Sequence, residues 1–137
     1  MGQLRVYVDM VGDLFHAGHV ELLKAARELG DELVVGVLSD ETVASHKRRP
    51  IMTLNERVAV IEACRYVDEV IADAPDRPTA AFLSDNDLAL VVHGDDLDDD
   101  GAAEVYGAAV EAAMFRLVPR VGTLSTTELI DRVSRRL

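Results

Sequence analysis

Apolar and polar residues follow two rhythms along this chain, and the switches between them mark its elements. Leu4-Arg5-Val6-Tyr7-Val8-Asp9 is a short β-rich run. From Gly18 to Leu29 the spacing becomes helical, with Val20, Leu22, Leu23, Ala26 and Leu29 on one face and Gly30 as a stop. Leu33-Val34-Val35-Gly36-Val37-Leu38 is unbroken and apolar, the pattern of a strand buried on both faces of a parallel sheet. Ser39 and Asp40 offer caps for a short helix through Ser45. Thr53 followed three residues later by Glu56 is a capping box, opening a helix that runs to about Arg65.

The alternation then continues. A strand is predicted over Val67 to Ile71, a turn over Ala74 to Pro78 and a helix near Thr79 to Ser84. Leu88 to Val92 reads as a strand, His93 to Asp100 as an acidic loop and Ala102 to Ala113 as a helix. Phe115 to Val118 is a fifth strand, and Ser125 to Arg135 a last helix opened by Ser/Thr caps. Near-strict strand–helix alternation implies an α/β fold: an open, parallel, five-stranded sheet with helices on both faces. The 137 residues suit one domain, 1–137, and show no internal repeat or linker.

Composition refines this picture. Apolar residues make up 49% of the chain but aromatics only 4%, with no Trp, so the core is aliphatic. Asp and Glu total 25 against 14 Lys and Arg, a net charge of −11. That balance excludes duplex DNA and anionic membranes as main partners, since both need a basic footprint. It argues less strongly against an anionic small substrate, because a local pocket can invert the global sign. Cys64 is the one cysteine and reads as core; no Cys/His spacing suggests zinc. No apolar run approaches a membrane span, and Met1-Gly2-Gln3-Leu4-Arg5 does not begin a signal peptide. The expectation is a soluble, cytoplasmic protein.

Ligands of open α/β sheets bind beyond the carboxyl ends of the strands. The first such end carries Gly12-Asp13-Leu14-Phe15-His16-Ala17-Gly18-His19. Two histidines three apart at a helix start can point the same way, beside free N–H groups that favour anions. Gly18 allows close backbone approach. Together these make a phosphate cradle, in which histidine donates directed hydrogen bonds and can carry charge near neutrality. The bland alternative is that His16 and His19 merely cap the helix. A zinc pair lacks an obvious third ligand.

His16-Ala17-Gly18-His19 resembles the His-x-Gly-His signature of the nucleotidyltransferase superfamily, and further blocks resemble its cytidylyltransferases for phosphocholine, phosphoethanolamine and glycerol 3-phosphate. Those blocks are Asp13 to His16, Val35-Gly36-Val37 with Ser39-Asp40-Glu41, Arg65 to Val70, His93-Gly94-Asp95-Asp96 and Ser125-Thr126-Thr127. They run in order from about Val6 to Arg132. The resemblance implies a Rossmann-like sheet and a reaction in which CTP and a small phosphorylated or phosphonate acceptor give a CDP-linked product and pyrophosphate.

It also implies roles. His16 and His19 bind the triphosphate, with Val11, Gly12 and Gly18 shaping the loop. Lys47 reaches the α-phosphate and the substrate phosphate, whereas Arg48 and Arg49 read as solvated. Arg120 binds phosphate, and Ser125, Thr126 and Thr127 form a second anion site that also caps the last helix. Asp13 is the candidate metal residue, with Mg²⁺ expected alongside CTP. Arg65 and Asp68 lie by the cytidine pocket or, equally, tie helix to strand as an ion pair. Gly94, Asp95 and Asp96 receive base, ribose or acceptor. Asp98 to Asp100 read as solvated loop, and His46 and His93 as surface or loop-packing residues. A homodimer is a further expectation.

Two blocks depart from the family pattern. Met10-Val11-Gly12-Asp13 replaces Gly-x-Phe/Tyr-Asp, and Arg120-Val121-Gly122-Thr123-Leu124-Ser125-Thr126 alters Arg-Thr-x-Gly-Ile-Ser-Thr. Both changes bear on the acceptor. A quaternary ammonium wants an aromatic cage, which three Phe and three Tyr scarcely provide. A phosphoethanolamine-like acceptor held by Asp95 or Asp96 is favoured, with phosphonates and glycerol 3-phosphate as alternatives. An adenylyltransferase of the same superfamily and a non-catalytic nucleotide-binding module are the competing readings.

Overall fold

The computed structural model describes residues 3–137; Met1 and Gly2, part of the segment read above for a leader, lie outside the described residues. Five strands, β1 (Arg5–Met10), β2 (Glu32–Val37), β3 (Glu69–Ala72), β4 (Leu90–Gly94) and β5 (Phe115–Val118), form one sheet. The helices are α1 (Ala17–Arg27), α2 (Asp40–Ala44), α3 (Leu54–Glu62), α4 (Ala80–Asp85), α5 (Asp99–Glu111) and α6 (Thr126–Arg136). The strand order is β3-β2-β1-β4-β5, and every pairing is parallel. The expected fold class is therefore present.

Parallel neighbours need crossovers, so each face of the sheet acquires its own helices and its own core. On one face Val6, Val8 and Met10 of β1 pack with Leu23 and Ala26 of α1 and Ile61 of α3. On the other, Tyr7 packs with Leu83 of α4 and with Tyr106 and Ala109 of α5. The period-two alternation of β1 thus feeds both cores and points Asp9 to the α5 side.

The chain moves outward through β2 and β3, then returns to place β4 against the other edge of β1. This reversal makes a crevice at the carboxyl ends of β1 and β4, the usual ligand position in such sheets. No helix is long and apolar enough to cross a membrane among the described residues.

Two of the boundaries that differ from the sequence reading bear on the ligand crevice and its rim. Asp98 is the N-cap of α5, accepting from the Gly101 amide, and Asp99 and Asp100 form its first turn. The run is acidic because it faces the positive end of a helix, rather than because it is a solvated loop. β4 extends through His93 and Gly94, which brings both to the crevice.

Candidate active site

The loop after β1 is shaped by Gly12 and held by Asp13. Gly12 has φ +69°, a left-handed backbone that strains other side chains, and a Cβ there would also press on Ile61 Cδ1 at 2.6 Å. Asp13 is buried, and its two oxygens accept from the amides of Ile51 (2.9 Å) and Met52 (3.0 Å). Its carbonyl accepts from the Thr126 hydroxyl at 3.0 Å. Asp13 thereby joins the loops that precede α1, α3 and α6. Arg57 on α3 braces the same region from beneath. Fully buried, it donates to the carbonyls of Val11, Leu38 and Met52 and pairs with Asp40 at the start of α2. A planar five-donor guanidinium suits a junction of two strand ends and two loops.

The two histidines close the start of α1 on itself. His16 is the N-cap, and its Nδ1 accepts from the Gly18 amide at 3.0 Å. His19 Nδ1 accepts from the His16 amide at 3.1 Å. The capping alternative and the cradle therefore coexist. An Nδ1 that accepts a hydrogen bond carries no proton, so both rings hold theirs on Nε2. Each thus has one N–H donor left for a ligand.

The rings lie 4.0 Å apart between centroids, and Phe15 stacks behind His19. Burial, then the neighbouring His16, push the His19 pKa down to about 4, against a smaller opposite pull from Asp13. Burial and the Arg120 charge lower His16 as well. Both shifts favour neutral donors at pH 7, so of the two properties expected of histidine here it is the directed hydrogen bond, rather than charge near neutrality, that they support. Gly18 makes room mainly for protein: a Cβ there would meet His16 Cε1 at 2.8 Å and the Leu124 carbonyl at 3.1 Å.

Above this start lies a cleft of about 490 Å³. His16, His19, Lys47 and Arg120 line it, together with Ser125 and Thr126 at the start of α6. A neighbouring cleft of about 420 Å³ is lined by Gly12, Asp13, Arg48 and Thr127, and shares Val11, His19, Lys47 and Thr126 with the first. Lys47 and His19 therefore stand at the divide between two spaces. Arg48, expected to be solvated, belongs to the second.

The main cleft also has an acidic part, of which the motifs revealed Asp96 alone among the carboxylates. Asp9, Asp76 and Asp96 line it with His93 and Tyr106. Tyr106 donates to Asp9 Oδ1 at 2.6 Å. Burial raises the Asp9 pKa to about 6, although the Tyr106 hydrogen bond and His93 oppose the shift. A lone carboxylate on an otherwise apolar strand was the available signal in the sequence. Asp76 and Arg57 were marked out by no local pattern, whereas Tyr106, five residues after Asp100-Gly101, was part of a spacing that resembles the ethanolamine and choline enzymes.

The remaining expected residues divide clearly. Gly94 and Asp96 line the cleft, and Asp96 pairs with Arg120 at 3.4 Å. Asp95 lines neither cleft; it accepts from the Arg120 amide and so positions that arginine. Arg65 and Asp68 are corrections. They precede β3, so parallel topology puts them at the amino end of the sheet, away from the clefts. Asp68 pairs with Arg27 at 3.1 Å and accepts from the Leu33 amide, while Arg65 is exposed. The Arg65–Asp68 pair is also absent among the described residues.

Asp13 is braced by two amides, and the described residues contain no group of three or more His, Cys, Asp or Glu side chains placed to hold a metal. The residues present therefore do not form a protein cage for Mg²⁺.

A family model described as cytidylyltransferase-like matches residues 12–132. Ethanolamine-phosphate cytidylyltransferase of Dictyostelium discoideum is 42% identical over 132 residues, covering 95% of this chain and 36% of that protein. Choline-phosphate cytidylyltransferase A of Homo sapiens is 39% identical over 135 residues, covering 96% of this chain and 37% of that protein. This chain spans little more than a third of the length of those two curated relatives. The crystal structure of the lipopolysaccharide core biosynthesis protein from Thermoplasma volcanium GSS1 superposes with a TM-score of 0.71 at 27% identity, covering 90% of this chain and 100% of that one.

Proposed function

The chain belongs to the cytidylyltransferase-like family, and from that premise we propose that it transfers CMP from CTP to the phosphate or phosphonate of a small amine-bearing acceptor, with phosphoethanolamine as the leading candidate. An acceptor oxygen attacks the α-phosphorus in line. The new phosphorus–oxygen bond forms as the bond to the β-phosphate oxygen breaks, and pyrophosphate leaves with that electron pair. The acceptor oxyanion is already a nucleophile, so the protein need only position two anions and stabilise the charge that grows between them.

The observation that carries this reading is the pair of neutral histidines, each with only Nε2–H left to donate, in one cleft with Lys47 and Arg120. Neutral donors bind phosphate oxygens without themselves titrating near neutrality, and fixed donors cost no reorganisation during reaction. Ser125, Thr126 and the start of α6 add a second group of anion-favouring N–H donors. Lys47, at the divide between the clefts, suits the point where acceptor phosphate and α-phosphate meet.

Mg²⁺, where it accompanies CTP, supplies charge neutralisation on the triphosphate. The carboxylates Asp9, Asp76 and Asp96 favour an acceptor that carries a cation. The test is pyrophosphate release from CTP with phosphoethanolamine, 2-aminoethylphosphonate, phosphocholine and glycerol 3-phosphate in turn. Amine acceptors should react fastest. Equal rates with glycerol 3-phosphate would remove the amine from the reading.

A further inference from the structure

Asp76 belongs to none of the sequence motifs, yet it lines the main cleft. It lies in the loop between β3 and α4, and that loop is tied down on two sides. Asp76 Oδ2 is 2.7 Å from His46 Nε2, next to Lys47. Arg77 pairs with Glu104 of α5 at 3.0 Å. Asp76 is thus held at the wall of the same cleft that Asp9 and Tyr106 line.

The aromatic surface nearby is already covered. Tyr106 is only 5% exposed and gives its hydroxyl to Asp9. Phe115 stacks on its ring at 5.1 Å, and His93 tilts against it at 5.6 Å. A trimethylammonium has no N–H and is held by open aromatic faces. A primary ammonium has three N–H donors and is held by acceptors. What this part of the cleft offers is carboxylate oxygen.

Resting on the cytidylyl-transfer reading, we propose that Asp76 is a specificity-determining residue: with Asp9 it receives the N–H donors of a primary ammonium on the acceptor and so selects that amine over a quaternary one. The hydrogen bond of Asp76 to His46 occupies one oxygen, and its other oxygen makes no hydrogen bond among the described residues. Asp9 likewise has Oδ1 engaged by Tyr106. The pair therefore retains acceptor capacity for the ammonium after its protein contacts are made.

The test is calorimetric titration of phosphoethanolamine and of phosphocholine into wild type, Asp76→Asn and His46→Gln, each with and without α,β-methylene CTP. Wild type should prefer phosphoethanolamine. Asp76→Asn should weaken phosphoethanolamine by ~10-fold or more, the equivalent of a charge-assisted hydrogen bond, and leave phosphocholine nearly unchanged. Retained phosphocholine binding also shows that the variant is folded. Equal loss for both ligands, an unaltered preference, or no binding of phosphoethanolamine to wild type overturns the proposal. So does the same selective loss in His46→Gln, which would assign the effect to the loop tie. CDP-product formation by wild type is followed in parallel. If none forms with any acceptor, cytidylyl transfer fails, while the binding preference still decides the role of Asp76.

Discussion

Tyr106 donates its hydroxyl to Asp9 across 2.6 Å, joining α5 to the carboxyl end of β1 over 97 residues of sequence. The bond holds a carboxylate whose pKa is raised to about 6, chiefly by burial and slightly by Asp76, against the Tyr106 bond and His93. At pH 7 this group is ionised, half-buried and part of the cleft wall. Folding alone would not favour that arrangement; a cationic ligand would.

Asp9→Asn is therefore expected to stabilise the fold while weakening amine acceptors. The folded pKa of about 6 lies above the ordinary 3.8. A raised pKa contributes stability below the unfolded value and loses it as pH rises through the folded one. Ionised Asp9 thus costs stability at neutral pH, and asparagine, which still accepts from Tyr106, removes that cost. A gain of ~1–3 kcal/mol at pH 7 is expected, fading towards pH 4. Denaturant midpoints of both proteins across that range check it.

His19→Ala should lower kcat by ~100-fold or more, since loss of a preorganised donor costs ~2.7–4 kcal/mol. The loss of fold stability should be smaller, about 1 kcal/mol, because one capping bond disappears. The wild-type pH profile carries a further signature. The His19 pKa is pushed down to about 4, so its contribution to stability is full above the unfolded value of 6.5 and is lost as pH falls towards 4. Pyrophosphate-release kinetics and urea melts over that window separate the two effects.

Arg57→Leu should destabilise the chain by ~3–5 kcal/mol, because Asp40 is left as a poorly compensated charge and three carbonyls lose their donor. Arg57→Lys should recover little, as an ammonium does not span the same fork. Thermal melts of the two variants measure this directly.

The fold was legible in the sequence because its signals are local. Five apolar or β-rich runs alternate with helical spacing, and Thr53 with Glu56 forms the capping box that the pattern announced. The phosphate-binding half of the site was legible for the same reason: His16 and His19 lie within one turn at a helix start. The acidic half was legible at Asp96, within the His93-Gly94-Asp95-Asp96 block, but not as a whole. Asp9, Asp76 and Tyr106 come from three separate segments, and only the β3-β2-β1-β4-β5 order brings them together. Arg65 and Asp68 show the converse, since proximity in a sequence block placed them near a pocket that parallel topology puts at the other end of the sheet. Charge behaves likewise. The net −11 counts carboxylates that cap α5, brace loops and line part of the cleft, so it does not bear against a triphosphate.

Phosphorus NMR of the protein incubated with CTP, Mg²⁺ and phosphoethanolamine follows cytidylyl transfer itself. The coupled resonances of a CDP-linked diester should appear together with pyrophosphate, and no linked product should form when ATP replaces CTP. A linked product from ATP but not CTP, or bound CTP that gives no product with any amine, phosphate or phosphonate acceptor, would contradict cytidylyl transfer.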